Sequence, residues 1–155
     1  MTDEPLEIIQ MNPSYEAFGM TLDFLSRSLP FGKFELAHIS ELIRDQLRLS
    51  HHLAALNSGR EMVGYAGWIH TSAPAAEIWM RDMGPLRSVQ SGSHDAAALT
   101  VVSVADTRAT LRLMRGARNL NPGIRVFFKR TYDETLRAAK KSSVLNFDDQ
   151  PGIAD

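Results

Sequence analysis

The segment Ala98-Leu99-Thr100-Val101-Val102-Ser103-Val104 constrains this chain most, because it is short, β-branched and almost wholly apolar. Such a run is expected of a strand covered on both faces, so helices must flank the sheet it belongs to. The residues after it supply one. Asp106 reads as an N-cap, Leu111, Met114 and Ala117 recur as an apolar stripe at helical spacing, and Asn119 and Pro122 close the helix. Ile124 to Phe128 then reads as a further strand. Strand, crossover helix and strand in that order predict a parallel pair with a right-handed connection.

Upstream, Asn12-Pro13 reads as an N-cap followed by proline at the first helical position, with Tyr15, Phe18, Leu22, Leu25 and Leu29 recurring at helical spacing and an end near Pro30. Leu36, Ile39, Leu42 and Ile43 mark a second amphipathic helix. The turn-forming cluster Asn57-Ser58-Gly59-Arg60 predicts a hairpin with strands near 51–56 and 61–70. Ala73 to Met83 reads as a helix with Ile78, Trp79 and Met83 inward, stopped by Gly84-Pro85, and Ser88 to His94 as a polar loop. From Thr131 the chain is read as beginning helically and passing into a polar tail from about 148. A hairpin beside a parallel pair makes the expected fold α/β (α+β), with a mixed central sheet flanked by helices. No linker or repeat divides it, so a single domain over 1–155 is expected.

The composition fits that size: 155 residues, 44% hydrophobic, suffice for one core. Lys and Arg number 17 against 18 Asp and Glu, a formal net charge of -1, which offers no global footprint for nucleic acid or an anionic membrane. The absence of cysteine excludes disulfides, thiolate catalysis and cysteine-ligated zinc. The apolar patch Leu6 to Met11 is too short for a signal-peptide core or a membrane span, and a cytoplasmic protein is expected.

Chemistry-bearing motifs are few. The histidines are His38, His51, His52, His70 and His94, and none shares a helix with another at metal-ligand spacing, so no metal is expected. Without a Gly-x-Ser-x-Gly elbow, Ser103 reads as a packed core residue. No phosphate-binding glycine fingerprint appears, so no bound cofactor is expected either. Arg108, Arg112, Arg115 and Arg118 form a basic stripe that is either a docking surface for an acidic helical partner or a solvated face. Small residues alternate in Met62-Val63-Gly64-Tyr65-Ala66-Gly67-Trp68, which admits an acyl chain, another backbone or a tightly packed helix.

Several strings resemble the toxin-activating lysine acyltransferases that act on RTX protoxins. They are Gln46-Leu47-Arg48-Leu49, the turn Asn57-Ser58-Gly59-Arg60 with the strand through Trp68, and Ser91-Gly92 followed by the strand to Val104 and the helix from Thr107 to Arg118. The resemblance covers roughly residues 18 to 130. It implies a GNAT-like fold and, in active members, transfer of a fatty acyl group from acyl carrier protein to an internal lysine. It also places a histidine after a Ser-Pro-Leu-like segment and an aspartate on the central strand. Here the first segment reads Ser28-Leu29-Pro30-Phe31-Gly32-Lys33, with Phe31 or Gly32 at the histidine position, and the strand offers Val101 or Ser103 at the aspartate position. Arg115-Gly116-Ala117 only faintly echoes the loop with which ordinary GNAT enzymes hold the coenzyme A pyrophosphate, and it lies inside a helix pattern.

Catalytic residues are therefore unassigned and an impaired or inactive acyltransferase scaffold is expected, with acyl carrier protein and an RTX-type protoxin as its partners. Two alternatives stand beside it. One is an active enzyme with a relocated base, drawn from His38, His70 or His94, with Asp106 or Asp95 as the acid. The other is a homodimeric interaction module that uses the hairpin edge or the basic helix.

Overall fold

A computed structural model describes residues 4–81, 86, 89, 93–131 and 138–145. Its elements run β1 (Glu7–Ile9), α1 (Tyr15–Ser26), a 3₁₀ turn (Phe31–Lys33), α2 (Leu36–Arg48), β2 (His52–Leu56), β3 (Met62–Thr71), α3 (Ala73–Arg81), β4 (Ala96–Val104), α4 (Arg108–Asn119), β5 (Arg125–Thr131) and β6 (Ala138–Leu145). The strands form one sheet in the order β1-β2-β3-β4-β5-β6. The sheet is mixed, as the sequence predicts: β4 and β5 are parallel, whereas β1-β2, β2-β3 and β5-β6 are antiparallel. The parallel register sets Ala96 to Leu99 against Arg125 to Phe128, with α4 as the crossover.

The chain groups into two compact units, Met1–Gly67 with Val101–Gly116 and Trp68–Thr100 with Ala117–Asp155, and the division runs through β3, β4 and α4. In the first unit α1 and α2 cover one face of the β2-β3 hairpin. Phe24, Leu25, Ile39, Ile43 and Leu47 pack there with Ala54, Leu56, Tyr65 and Val101. The opposite face takes α4: a Cβ at Gly64 would meet Leu113 and Ala109, and one at Gly116 would overlap Leu53. Alternation along the strands produces this two-sided cover, since Leu53 and Ala55 face α4 while Ala54 and Leu56 face α1 and α2. In the second unit α3 packs on β5, with Ala76, Ala96 and Phe127 buried together and Trp79 partly buried against them.

Several expectations need correction. Helix α1 starts one residue after Ser14, whose hydroxyl accepts from the Ala17 amide at 3.0 Å, so the cap is a serine and not Asn12. The buried face of α1 is Ala17, Thr21, Phe24 and Leu25, while Tyr15 and Leu29 are exposed. Leu36, at the start of α2, is exposed as well. Helix α4 buries Ala109, Leu113 and Ala117, and Leu111 points outward because the small residues let the helix lie closer to the sheet by that face. Ile78 of α3 is exposed, and Met83 lies outside the described residues. The segment read as helical after Thr131 contains β6, which pairs with β5 from Val126↔Leu145 to Thr131↔Ala138. The polar tail from about 148 and most of the 88–94 loop fall outside the described residues. Within the Leu6 to Met11 stretch, read only as a short apolar patch, Glu7 to Ile9 form the edge strand β1 against β2.

Candidate functional site

Helix α1, the 3₁₀ turn and the start of α2 line a half-open pocket of about 400 Å³. Its lining is mainly apolar, from Leu22, Leu25, Phe31, Phe34, Leu36 and Ile39, with Asp23, Ser26 and Gly32 supplying the polar atoms. Asp23 is tied to Arg27 at 3.0 Å, both side chains largely exposed. The segment for which the resemblance implies a base runs along this cavity. Phe31 is buried in the first unit's core and stacks edge-on with Phe34 at 5.5 Å between ring centroids. A Cβ at Gly32 would lie 2.5 Å from the Ser26 carbonyl oxygen, so this backbone has no room for any side chain there. Neither residue accepts a proton.

The strand half of the pair fares no better. Val101 is fully buried in the same core cluster as Phe31, where an unpaired carboxylate would be strongly disfavoured. Ser103 is half-buried. At the start of α4, Asp106 accepts from the Arg108 amide at 3.0 Å and its carboxylate holds the Arg108 guanidinium at 2.6 Å. The hydrogen bonds from Arg108 keep the Asp106 carboxyl below the usual carboxylate range, and the helix N-terminus is thus met by the chain's own anion. Gly116 lies within α4 against Leu53, so the Arg115-Gly116-Ala117 string is a packing feature. Gly64 and Gly67 are likewise covered by Leu113 and Gln46, so helix side chains take the space read as open to an acyl chain.

A polar network that sequence reasoning missed lies beneath α2. The Gln46 side-chain oxygen accepts from the Tyr65 hydroxyl at 2.9 Å, and its main-chain oxygen lies 3.2 Å from His52 Nδ1. His52 Nε2 accepts the Met11 amide at 2.9 Å. A main-chain amide can only donate and a carbonyl can only accept, so the ring is neutral with its proton on Nδ1. Burial lowers the His52 pKa, against the opposing effect of the Gln46 carbonyl, and burial raises that of Tyr65. The Gln46, His52 and Tyr65 side chains are buried, and the network works as a structural tie between the Met11 segment, α2 and the hairpin. The available signal was Gln46 itself, a polar residue on the apolar face that Ile39, Ile43 and Leu47 define.

The other titratable candidates are placed as follows. His38 is exposed on α2, its ring 5.7 Å from Phe34. In the second unit His70 and His94 stack at 3.9 Å, and His70 Nε2 lies 3.0 Å from Asn121 Oδ1. Burial lowers the His70 pKa; the Asn121 hydrogen bond opposes this and His94 adds to it. Asp95 receives the Ala73 amide at 2.7 Å and so caps α3. Among the described residues the structure brings two of the candidate histidines together, joined to an amide, and Asp95 and Asp106 serve helix starts. Arg108 and Arg112 also anchor the N-terminal segment, donating to the carbonyls of Glu4 at 2.9 Å and Leu6 at 2.6 Å. No group of three or more potential metal ligands occurs among the described residues. No described helix is long and apolar enough to cross a membrane.

Comparison with solved structures completes the picture. The GphF GNAT-like decarboxylase in complex with isobutyryl-CoA superposes with a TM-score of 0.57 at 18% identity, covering 82% of this chain and 67% of that one. The chain has a GNAT-like fold. An acetyltransferase of the GNAT family from Staphylococcus aureus Mu50 matches at 15% identity with a TM-score of 0.47, covering 81% and 73% of the two chains. A histone acetyltransferase HPA2 and related acetyltransferase from Corynebacterium glutamicum ATCC 13032 matches at 12% with a TM-score of 0.46, covering 82% and 77%. No protein-family model and no curated protein matches the chain. On this GNAT-like fold the crossover β4-α4-β5 is the element that carries Val101, Ser103 and Asp106.

Proposed function

We propose that this chain is a GNAT-like acyltransferase scaffold of the toxin-activating kind that holds an acyl donor and a protein partner without transferring the acyl group to lysine. One observation carries the reading: Phe31 or Gly32, and Val101 or Ser103, stand where the proton-handling pair is implied, and none of them is a base that can deprotonate an ammonium. Acyl transfer to lysine requires the ε-ammonium to lose a proton before its nitrogen bonds the thioester carbon and the C–S bond breaks. Loss of a positioned base costs roughly two to four powers of ten in rate.

Acyl carrier protein is the donor that this reading favours over coenzyme A. Asp106 sets a carboxylate at the α4 N-terminus, where a pyrophosphate would otherwise be welcome, and Gly116 is used for packing. The partner would be a lysine-bearing protein of the RTX protoxin type in the cytoplasm. A second reading, thioester chemistry that needs no amine base, is favoured by the decarboxylase among the structural neighbours. There a C–C bond would break, carbon dioxide would leave, and solvent would protonate the resulting carbanion.

The test pairs calorimetry against an acyl-loaded carrier protein with an assay of free thiol, run with a lysine-bearing acceptor. Binding without thiol release above the uncatalysed rate supports the first reading. Thiol release dependent on both the protein and the lysine-bearing acceptor overturns it, and loss of carbon dioxide from a carboxyacyl donor with the thioester intact establishes the second.

A further inference from the structure

Helix α4 carries Arg108, Arg112, Arg115 and Arg118 and no carboxylate, in a chain whose formal net charge is -1. Positions 108, 111, 112 and 115 follow the i, i+3, i+4, i+7 rule, so they form one stripe. In its middle is Leu111, 74% exposed, a large apolar side chain that the protein's own packing leaves in water. The arginines around it are not equivalent. Arg108 is balanced by Asp106. Arg112 is bonded to the Leu6 carbonyl, a neutral acceptor, which fixes its guanidinium without cancelling its charge. Arg115 is exposed. Among the described residues no carboxylate pairs with Arg112 or Arg115.

From this geometry we infer that the Leu111 stripe of α4 is a docking surface for an acidic amphipathic helix of a protein partner. An apolar side chain of that helix covers Leu111, and its carboxylates meet Arg112 and Arg115. Charge complementarity selects the occupant: a cationic or neutral helix would leave both guanidinium groups beside an apolar contact without a counter-charge. Anchoring of Arg112 by Leu6 lowers the entropy lost when a carboxylate binds it. The inference deepens the proposed function, on which it rests for the identity of the natural partner, since a carrier protein of acidic helical type has this chemistry.

Two probes separate the surface from that reading. The first is a designed helical peptide with glutamates flanking a central leucine, and the second is holo acyl carrier protein. Both are titrated against the wild type, Arg115→Glu, Leu111→Gln and Arg48→Glu, with circular dichroism confirming the fold of each variant. Arg48 is an exposed arginine on α2 and serves as the charge control. The peptide is expected to bind the wild type and Arg48→Glu equally, and to weaken about tenfold with Arg115→Glu and with Leu111→Gln. Rising salt should weaken it too. Failure of the peptide to bind the wild type, or equal binding to all four proteins, overturns the docking surface. Peptide binding without carrier binding leaves the surface standing and removes the carrier as donor. Carrier binding insensitive to Arg115→Glu keeps the donor and overturns the surface. A dimer of the protein that Arg115→Glu dissociates would make a second copy the occupant and would likewise overturn the inference.

Discussion

Gly67→Ala offers the sharpest test of how the first unit is held together. The added methyl would overlap the Gln46 carboxamide, which is buried and accepts the Tyr65 hydroxyl. Overpacking of this kind costs about 1–3 kcal/mol. Pushing the carboxamide aside also breaks a hydrogen bond worth roughly 0.5–1.5 kcal/mol and leaves a buried polar group short of a partner, at about 1–3 kcal/mol. Allowing for overlap between these terms, the variant should lose roughly 2–5 kcal/mol, from the upper part of the ordinary single-substitution range to beyond it. Gln46→Ala should also destabilise, but it removes the obstacle, so Gly67→Ala on that background should cost under about 1 kcal/mol. Urea unfolding of the four proteins, followed by tryptophan fluorescence and circular dichroism, measures the cycle. Additivity of the two substitutions within about 0.5 kcal/mol would refute the steric account.

Other predictions follow from the same structure. Burial holds His52 and His70 below their ordinary pKa, so the unfolded chain binds protons that the folded one resists. Stability should therefore fall as pH drops below about 6.5 and level off under the folded-state values; a urea midpoint that is flat between about pH 7.5 and 5 would contradict this. Ser14→Ala removes the α1 cap and should cost about 1 kcal/mol, read by thermal unfolding, whereas Asn12→Ala should cost less than half of that. Arg115→Glu should weaken an acidic helical partner about tenfold while leaving the unfolding midpoint nearly unchanged.

How much of this was legible beforehand depended on how local each signal was. The β4-α4-β5 crossover was readable because an apolar β-branched run, a capping aspartate and a closing proline lie within a short stretch of chain. The hairpin was readable from its turn, where Asn57 accepts the Glu61 amide and Arg60 adopts a left-handed backbone. Helix faces were harder. The stripe drawn through Leu111 failed because Ala109, Leu113 and Gly116 pack under the sheet, and small residues carry little hydrophobic weight in a periodicity count. Strand β1 was too short to alternate, and its place depends on pairing with residues more than forty positions away, as in Ile9↔Ala54. Strand β6 is rich in lysine and serine, so its own sequence says little and its partner β5 decides it. At the candidate site, the sequence shows which side chains stand at Phe31, Gly32 and Val101, whereas the pocket beside Phe31 and Gly32 and the Gln46-Tyr65-His52 network arise only once α1 and α2 meet over the hairpin.

The measurement closest to the centre of this account is the intact mass of a lysine-bearing RTX-type protein after incubation with acyl-loaded carrier protein and this chain. With no proton acceptor at Phe31, Gly32 or Val101, the substrate mass should match that of the control lacking the chain. A gain equal to one acyl group, dependent on the chain, would show that another side chain deprotonates the amine and would contradict the account.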